Sequence, residues 1–155
     1  MTAFDVSGNE ALGPRIVEYR APVVARPLRV VYLWDADYPW DVRTEKVCAT
    51  LSSAGHDVHI VARNKAWRHL AERMPEGTVH RMTPWRFVGR RADAALGFPL
   101  FCSPRWRGLL DQTVRDVQPR AIIVRDLPLA PTAVSIGRRR HVPVVLDLAE
   151  NYPAM

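Results

Sequence analysis

Carboxylates gather where apolar runs end. Asp35 and Asp37 follow Leu28–Trp34, Asp126 follows Ala121–Val124, and Asp147 and Glu150 follow Pro143–Leu146. A carboxylate held at the end of a buried segment can accept a proton or a hydrogen bond, so the group marks a candidate site. Each also has a plain structural use, capping the next helix or satisfying nearby backbone. Arg43 and Lys46 stand at the start of a helical stretch, where they could meet a phosphate or an acceptor, or simply face solvent.

Several other chemistries find no residues to carry them. No G-x-G-x-x-G follows the first apolar run, where Asp35-Ala-Asp-Tyr-Pro-Trp40 stands instead, and there is no P-loop. The five histidines lack His-x-x-x-His spacing, and Ser103 is better read as a helix cap than as a nucleophile. Asp35 and Asp37 resemble the Mg²⁺-binding pair of a phospho-receiver domain, but that reading needs an aspartate where Thr83-Pro84 stands and a lysine where Asp147-Leu-Ala149 stands. Cys48 and Cys102 have no paired-ligand spacing. No metal site is expected, and reduced thiols fit a cytoplasmic protein.

The elements that would position these carboxylates alternate. Leu28–Trp34 reads as a strand covered on both faces. Asp41 caps a helix with Val47, Cys48, Leu51 and Ala54 on one face, stopped by Gly55. Val58–Ala62 is the second strand. Asn64 starts a short helix with the stripe Trp67, Leu70, Ala71 and Met74, ended by Pro75-Glu-Gly77, and Thr78–Met82 is the third strand. Thr83–Cys102 is irregular. Ser103-Pro104 opens a helix that runs towards Pro119, Ala121–Val124 is the fourth strand, Leu129–Gly137 a helix, and Pro143–Leu146 the fifth strand. This pattern predicts an α/β fold, a Rossmann-like doubly wound parallel sheet of about five strands in the order 3-2-1-4-5. Its switch point falls between strands one and four, so ligand belongs over their C-terminal ends, beside Asp35–Arg43 and Arg125-Asp126, with Asp147–Tyr152 next door.

The chain has 155 residues, 48% of them hydrophobic and 25% charged, which fits one soluble domain. Residues 1–27, with Gly8, Gly13, Pro14, Pro22 and Pro27, read as a flexible arm that lacks a secretory pattern, and residues 28–155 as the domain. Net charge is +6, almost all of the excess being arginine, clustered at Arg86, Arg90, Arg91, Arg105 and Arg107 and at Arg138–Arg140. Such patches favour polyanions or stand as solvated helix faces. The first cluster is interleaved with Trp85, Phe87, Phe98, Phe101 and Trp106, a mix that suits an anionic membrane surface rather than nucleic acid, although the same aromatics could fill a core.

The last motifs resemble a known family. Val124-Arg-Asp-Leu-Pro-Leu129 leads through a helix into Pro143-Val-Val-Leu-Asp-Leu-Ala-Glu-Asn-Tyr-Pro153, which looks like the N-terminal domain of family 4 glycosyltransferases of the GT-B fold. Leu51-Ser-Ser-Ala-Gly-His-Asp-Val58 is similar to that family's approach to its second strand. The resemblance covers about residues 28–153. It implies sugar transfer from a nucleotide-sugar donor to a glycan or lipid-linked acceptor held by this domain. It also implies a retaining mechanism, with the donor bound by a second domain outside this chain and no cofactor here. Glu150 and Asp126 would then be catalytic, and Asp35, Asp37, Trp40, Arg43, Asp147 and Asn151 would hold the acceptor. The protein would work in the cytoplasm, peripheral to the inner face of the membrane. Two departures stand out: Ala149 replaces a histidine common in that family, and the first loop lacks its glycine pair. A binding domain without catalysis, presenting its basic aromatic face to a membrane or a protein partner, is the alternative.

Overall fold

A computed structural model describes residues 26–97 and 103–148. In chain order these form β1 (Arg29–Leu33), α1 (Val42–Ser53), β2 (Asp57–Ala62), β3 (Ala71–Met74), β4 (Gly77–Arg81), a single 3-10 turn (Arg86–Val88), α2 (Gly89–Leu96), α3 (Pro104–Val117), β5 (Ala121–Arg125), α4 (Ala130–Arg140) and β6 (Val144–Asp147). The six strands lie in the order β3-β4-β2-β1-β5-β6. All neighbours are parallel except β3 and β4, which are antiparallel. Leaving out β3, this is the expected 3-2-1-4-5 sheet.

Alternation along the strands sorts the core into two layers. Val31 and Leu33 of β1 join Val61, Ile122 and Val124 beneath α3 and α4, against Trp106, Leu110, Val114, Leu129, Ala133 and Ile136. Tyr32 and Trp34 face the other way and pack with Tyr38, Val58, Ile60 and Val79 around Cys48 of α1. The central strand is therefore apolar on both faces, as a strand enclosed by helices requires.

Two segments differ from expectation. The short helix expected from Asn64 to Met74 does not form. Its N-terminal part is a turn in which the Asn64 side chain accepts from the Arg68 amide and donates to the Arg68 carbonyl, 2.7 and 3.0 Å. Trp67 adopts a left-handed φ of 56° that interrupts any helix. Ala71–Met74 then runs back along β4 as a hairpin closed by Pro75-Glu76. Tertiary partners decide this: as a strand, the segment brings Glu72 within 2.7 Å of the buried Arg81 guanidinium, which otherwise donates to the carbonyls of His69 and Tyr38. Gly77 ends the hairpin at φ 152°, where a Cβ would lie 2.3 Å from the Val58 carbonyl oxygen, so only glycine fits. The second difference is α2, inside the stretch read as irregular. Its only buried side chain is Asp93, so apolar periodicity could not announce it.

On the α3 face of the sheet His59 and His80 stand 2.9 Å apart, Nδ1 to Nε2, with His59 Nε2 3.3 Å from Asp57. Burial first, and then the charge of His59, push the His80 pKa down, against the opposing pull of Asp116. The folded protein thus prefers neutral His80, while the unfolded chain takes up a proton near the ordinary 6.5. Between those two values the unfolded state binds more protons, so stability falls as pH drops below about 6.5. Melting curves from pH 8 to 5 should show this loss. His80→Gln, which stays neutral, should remove most of it, and an unchanged slope would exclude His80 as its source.

Candidate functional site

The C-terminal ends of β1, β5 and β6 meet at the switch point, where sheets of this kind leave a crevice, and there the chain gathers charged side chains from the strand ends and the start of α1. Asp41 caps α1, its Oδ1 accepting from the Thr44 amide at 2.8 Å. The guanidinium of Arg125, the last residue of β5, pairs with that same carboxylate, donates to Thr44 Oγ1 at 2.6 Å and lies 4.5 Å from the centre of the Trp34 ring. Its Nε is 3.5 Å from Asp126 Oδ2. Burial opposes charge on both Asp41 and Arg125. Even so, the Thr44 amide and Arg125 hold the Asp41 carboxyl below the usual range, and Asp41 in turn holds Arg125 firmly protonated.

Asp126 turns the chain at a left-handed φ of 64°, a conformation that aspartate tolerates better than most residues. Its amide donates to the Asp147 carbonyl at 3.0 Å and ties the ends of β5 and β6 together. The Asp147 carboxylate accepts from the Tyr32 hydroxyl at 2.9 Å and from Arg43 at 2.8 Å. Burial and then the Asp147 hydrogen bond push the Tyr32 hydroxyl well above the ordinary phenol range, so it remains a donor. Asp35, half-buried after β1, has its pKa raised by burial and then by the negative charge of Asp126, despite Arg63, Lys65 and Arg125 nearby. Asp35 is thus the carboxyl of this cluster best able to take up a proton, beside a buried guanidinium. The Trp34 indole N–H is buried with no acceptor among the described residues.

The structure thus gathers Asp35, Asp126, Asp147 and Arg43 around one crevice. Asp37 serves another purpose, accepting from the amides of Lys65 and Ala66 at 2.9 and 3.2 Å and so fixing the turn before β3. Trp40 projects into solvent, 79% exposed. Glu150 and Asn151 lie outside the described residues. Reading the sequence for chemistry put Asp41 and Arg125 in the switch-point loops without giving either a role in the site, Asp41 being read as a helix cap, and it left Tyr32 and Trp34 in the first strand as core. Among the described residues, no group of three His, Cys, Asp or Glu is placed to hold a metal ion, and no helix is long and apolar enough to cross a membrane.

The sequence matches no family model and no curated protein. The structure is similar to that of CalG4, the calicheamicin glycosyltransferase, with a TM-score of 0.51 and 11% identity over 82% of this chain and 32% of that one. The chain therefore spans about a third of that glycosyltransferase. A likeness at this identity shows the fold, a Rossmann-like sheet of the kind that forms half of a GT-B protein.

Proposed function

We propose that this chain is the acceptor-side domain of a GT-B glycosyltransferase similar to family 4, working with a second domain that binds the nucleotide-sugar. The observation that carries the reading is the convergence of Asp35, Asp126 and Asp147 at the switch point of a sheet shared with a glycosyltransferase. In this reading the acceptor, a glycan or a lipid-linked sugar, lies over β1 and β5. Asp126, together with Glu150, receives the proton of the attacking hydroxyl. Asp35, Asp147 and Arg43 grip neighbouring hydroxyls, and Trp40 and Asn151 add contacts to the acceptor. Charge on the departing nucleotide is stabilised by the partner domain.

Two outcomes test this. Calorimetric titration of the chain with UDP- and GDP-sugars should give no heat of binding, since no glycine-rich phosphate loop is present. A micromolar dissociation constant would assign the chain to the donor half instead. In protein carrying the donor domain, Asp126→Asn and Glu150→Ala should lower turnover while the melting temperature moves only a few degrees. Asp35→Asn should also lower turnover, yet raise the melting temperature at neutral pH, because it removes a buried charge that the fold disfavours. Normal turnover in all three variants would remove this crevice from the reaction.

A further inference from the structure

A second charged feature lies on the same edge of the sheet, beyond β4. The turn before β3 and the loop after β4 enclose an open groove of about 720 Å³ lined by Trp67, Arg68, His69, Leu70, Thr83 and Arg86, among others. Trp67 forms its platform, and its left-handed backbone is the kind of local cost that a binding site repays. The indole is anchored by its N–H to Asp93 at 3.3 Å. Two guanidiniums converge on this one ring, Arg86 at 5.9 Å and Arg90 at 5.5 Å from its centre. Like charges drawn together in this way call for a counter-charge, and the nearby acids are engaged elsewhere. Glu72 pairs with Arg81, and Asp93 is held by Arg105 and the Trp85 amide. Arg68, Arg86, Arg90 and Arg91 have no carboxylate partner among the described residues.

Beside these cations stands an apolar lip. Phe87 is 83% exposed and stacks on Trp85 at 5.8 Å, and Leu70 is 47% exposed on the groove wall. Phe87 and Leu70 thus leave a small apolar rim facing water beside the cations. Unpaired arginines around a groove beside a projecting Phe match the surface of an anionic bilayer, in which phosphates lie just above acyl chains. We propose that this groove binds the phosphate ester of an anionic membrane lipid, with Arg68 and Arg86 of its lining on the phosphate, Arg90 beside them at the Trp67 ring and Phe87 in the acyl boundary. The loop after β4 and the Asp35–Asp126 cluster both follow C-terminal ends of parallel strands. The assignment stands apart from the transferase reading, because lipid binding needs neither donor nor acceptor.

Co-sedimentation of the full chain with vesicles tests it. Binding is expected to mixed phosphatidylglycerol–phosphatidylcholine vesicles and not to phosphatidylcholine alone, and to weaken as salt shortens the Debye length. Arg86→Ala/Arg90→Ala should lower the partition coefficient about thirty-fold, the loss of roughly 1 kcal/mol per arginine. Phe87→Ser should weaken binding that persists at high salt. Arg138→Ala/Arg139→Ala, of equal charge change but at the C-terminus of α4, should change it little. All of these residues are exposed, so circular dichroism should remain that of the parent. Equal loss in the Arg138 and Arg139 variant would reduce the effect to net charge and overturn the site. So would equal binding to phosphatidylcholine, retention of single-stranded RNA in place of vesicles, or binding of glycerol 3-phosphate without vesicle binding, which would make the groove a site for a soluble ester.

Discussion

Trp106→Ala should remove about 3–5 kcal/mol of folding free energy, the usual result of emptying a large aromatic site in a closed core. Trp106, in the first turn of α3, is fully buried in the cluster with Leu33, Val124 and Leu129, and its indole N–H donates to the Gly97 carbonyl at 3.1 Å. It therefore joins two things: the α3 layer of the core and the C-terminal end of α2. Domains of this size are stable by only about 5–15 kcal/mol, so the variant should stand near the unfolding threshold at room temperature. Urea denaturation followed by circular dichroism measures the change. Trp106→Phe keeps most of the volume and loses mainly the hydrogen bond, so its midpoint should lie well above that of the alanine variant. If the two midpoints coincide, the bond to Gly97 rather than the packing is what Trp106 contributes.

Arg125→Ala should cost about 2 kcal/mol, less than the 3–5 typical of a fully buried pair, because Asp41 is partly open to water. The loss has three parts: the Asp41 pair, the Thr44 hydrogen bond and the stacking on Trp34. Asp41→Asn should cost less, since asparagine still caps α1 while giving up the charge. The double variant should fall short of the sum of the two, which is how a direct pair shows itself in a double-mutant cycle. Acid titration gives a separate readout. Asp41 titrates below its ordinary value in the folded state, so its contribution is present above about pH 4 and is lost as pH falls further. The Arg125→Ala variant should lose less stability over that acid range than the parent does.

Legibility in the sequence followed the kind of force involved. The parallel sheet could be read because it rests on repeated local patterns: β-branched runs such as Val58–Ala62 between capped helices such as the one begun by Asp41. What escaped rests on single long-range partners. β3 is a strand because Glu72 meets Arg81, and α2 is a helix whose one buried side chain is an aspartate held by Arg105 and the Trp85 amide. The crevice divides in the same way. The switch-point rule located Asp35, Asp126 and Asp147 from chain order alone. That Arg125 would turn back onto Asp41, or that Asp37 would be spent on the Lys65–Ala66 turn, depends on contacts 84 and 28 residues apart. No pattern within one segment contains that information.

The two margins of the sheet are unlike. On one side β3 is short, carries Glu72 and Arg73 and ends at Pro75, features that discourage another chain from adding a strand. On the other, β6 exposes Val145 at 51% and Leu146 at 42%, with Leu148 just beyond at 50%. Among the described residues, β6 is thus the margin with uncovered apolar side chains and β3 the charged one. Growth at β6 covers apolar side chains, whereas growth at β3 would have to strip water from charged ones. The sheet has a closed end and a receptive one, and that polarity was fixed when four residues of a would-be helix were laid down as a strand.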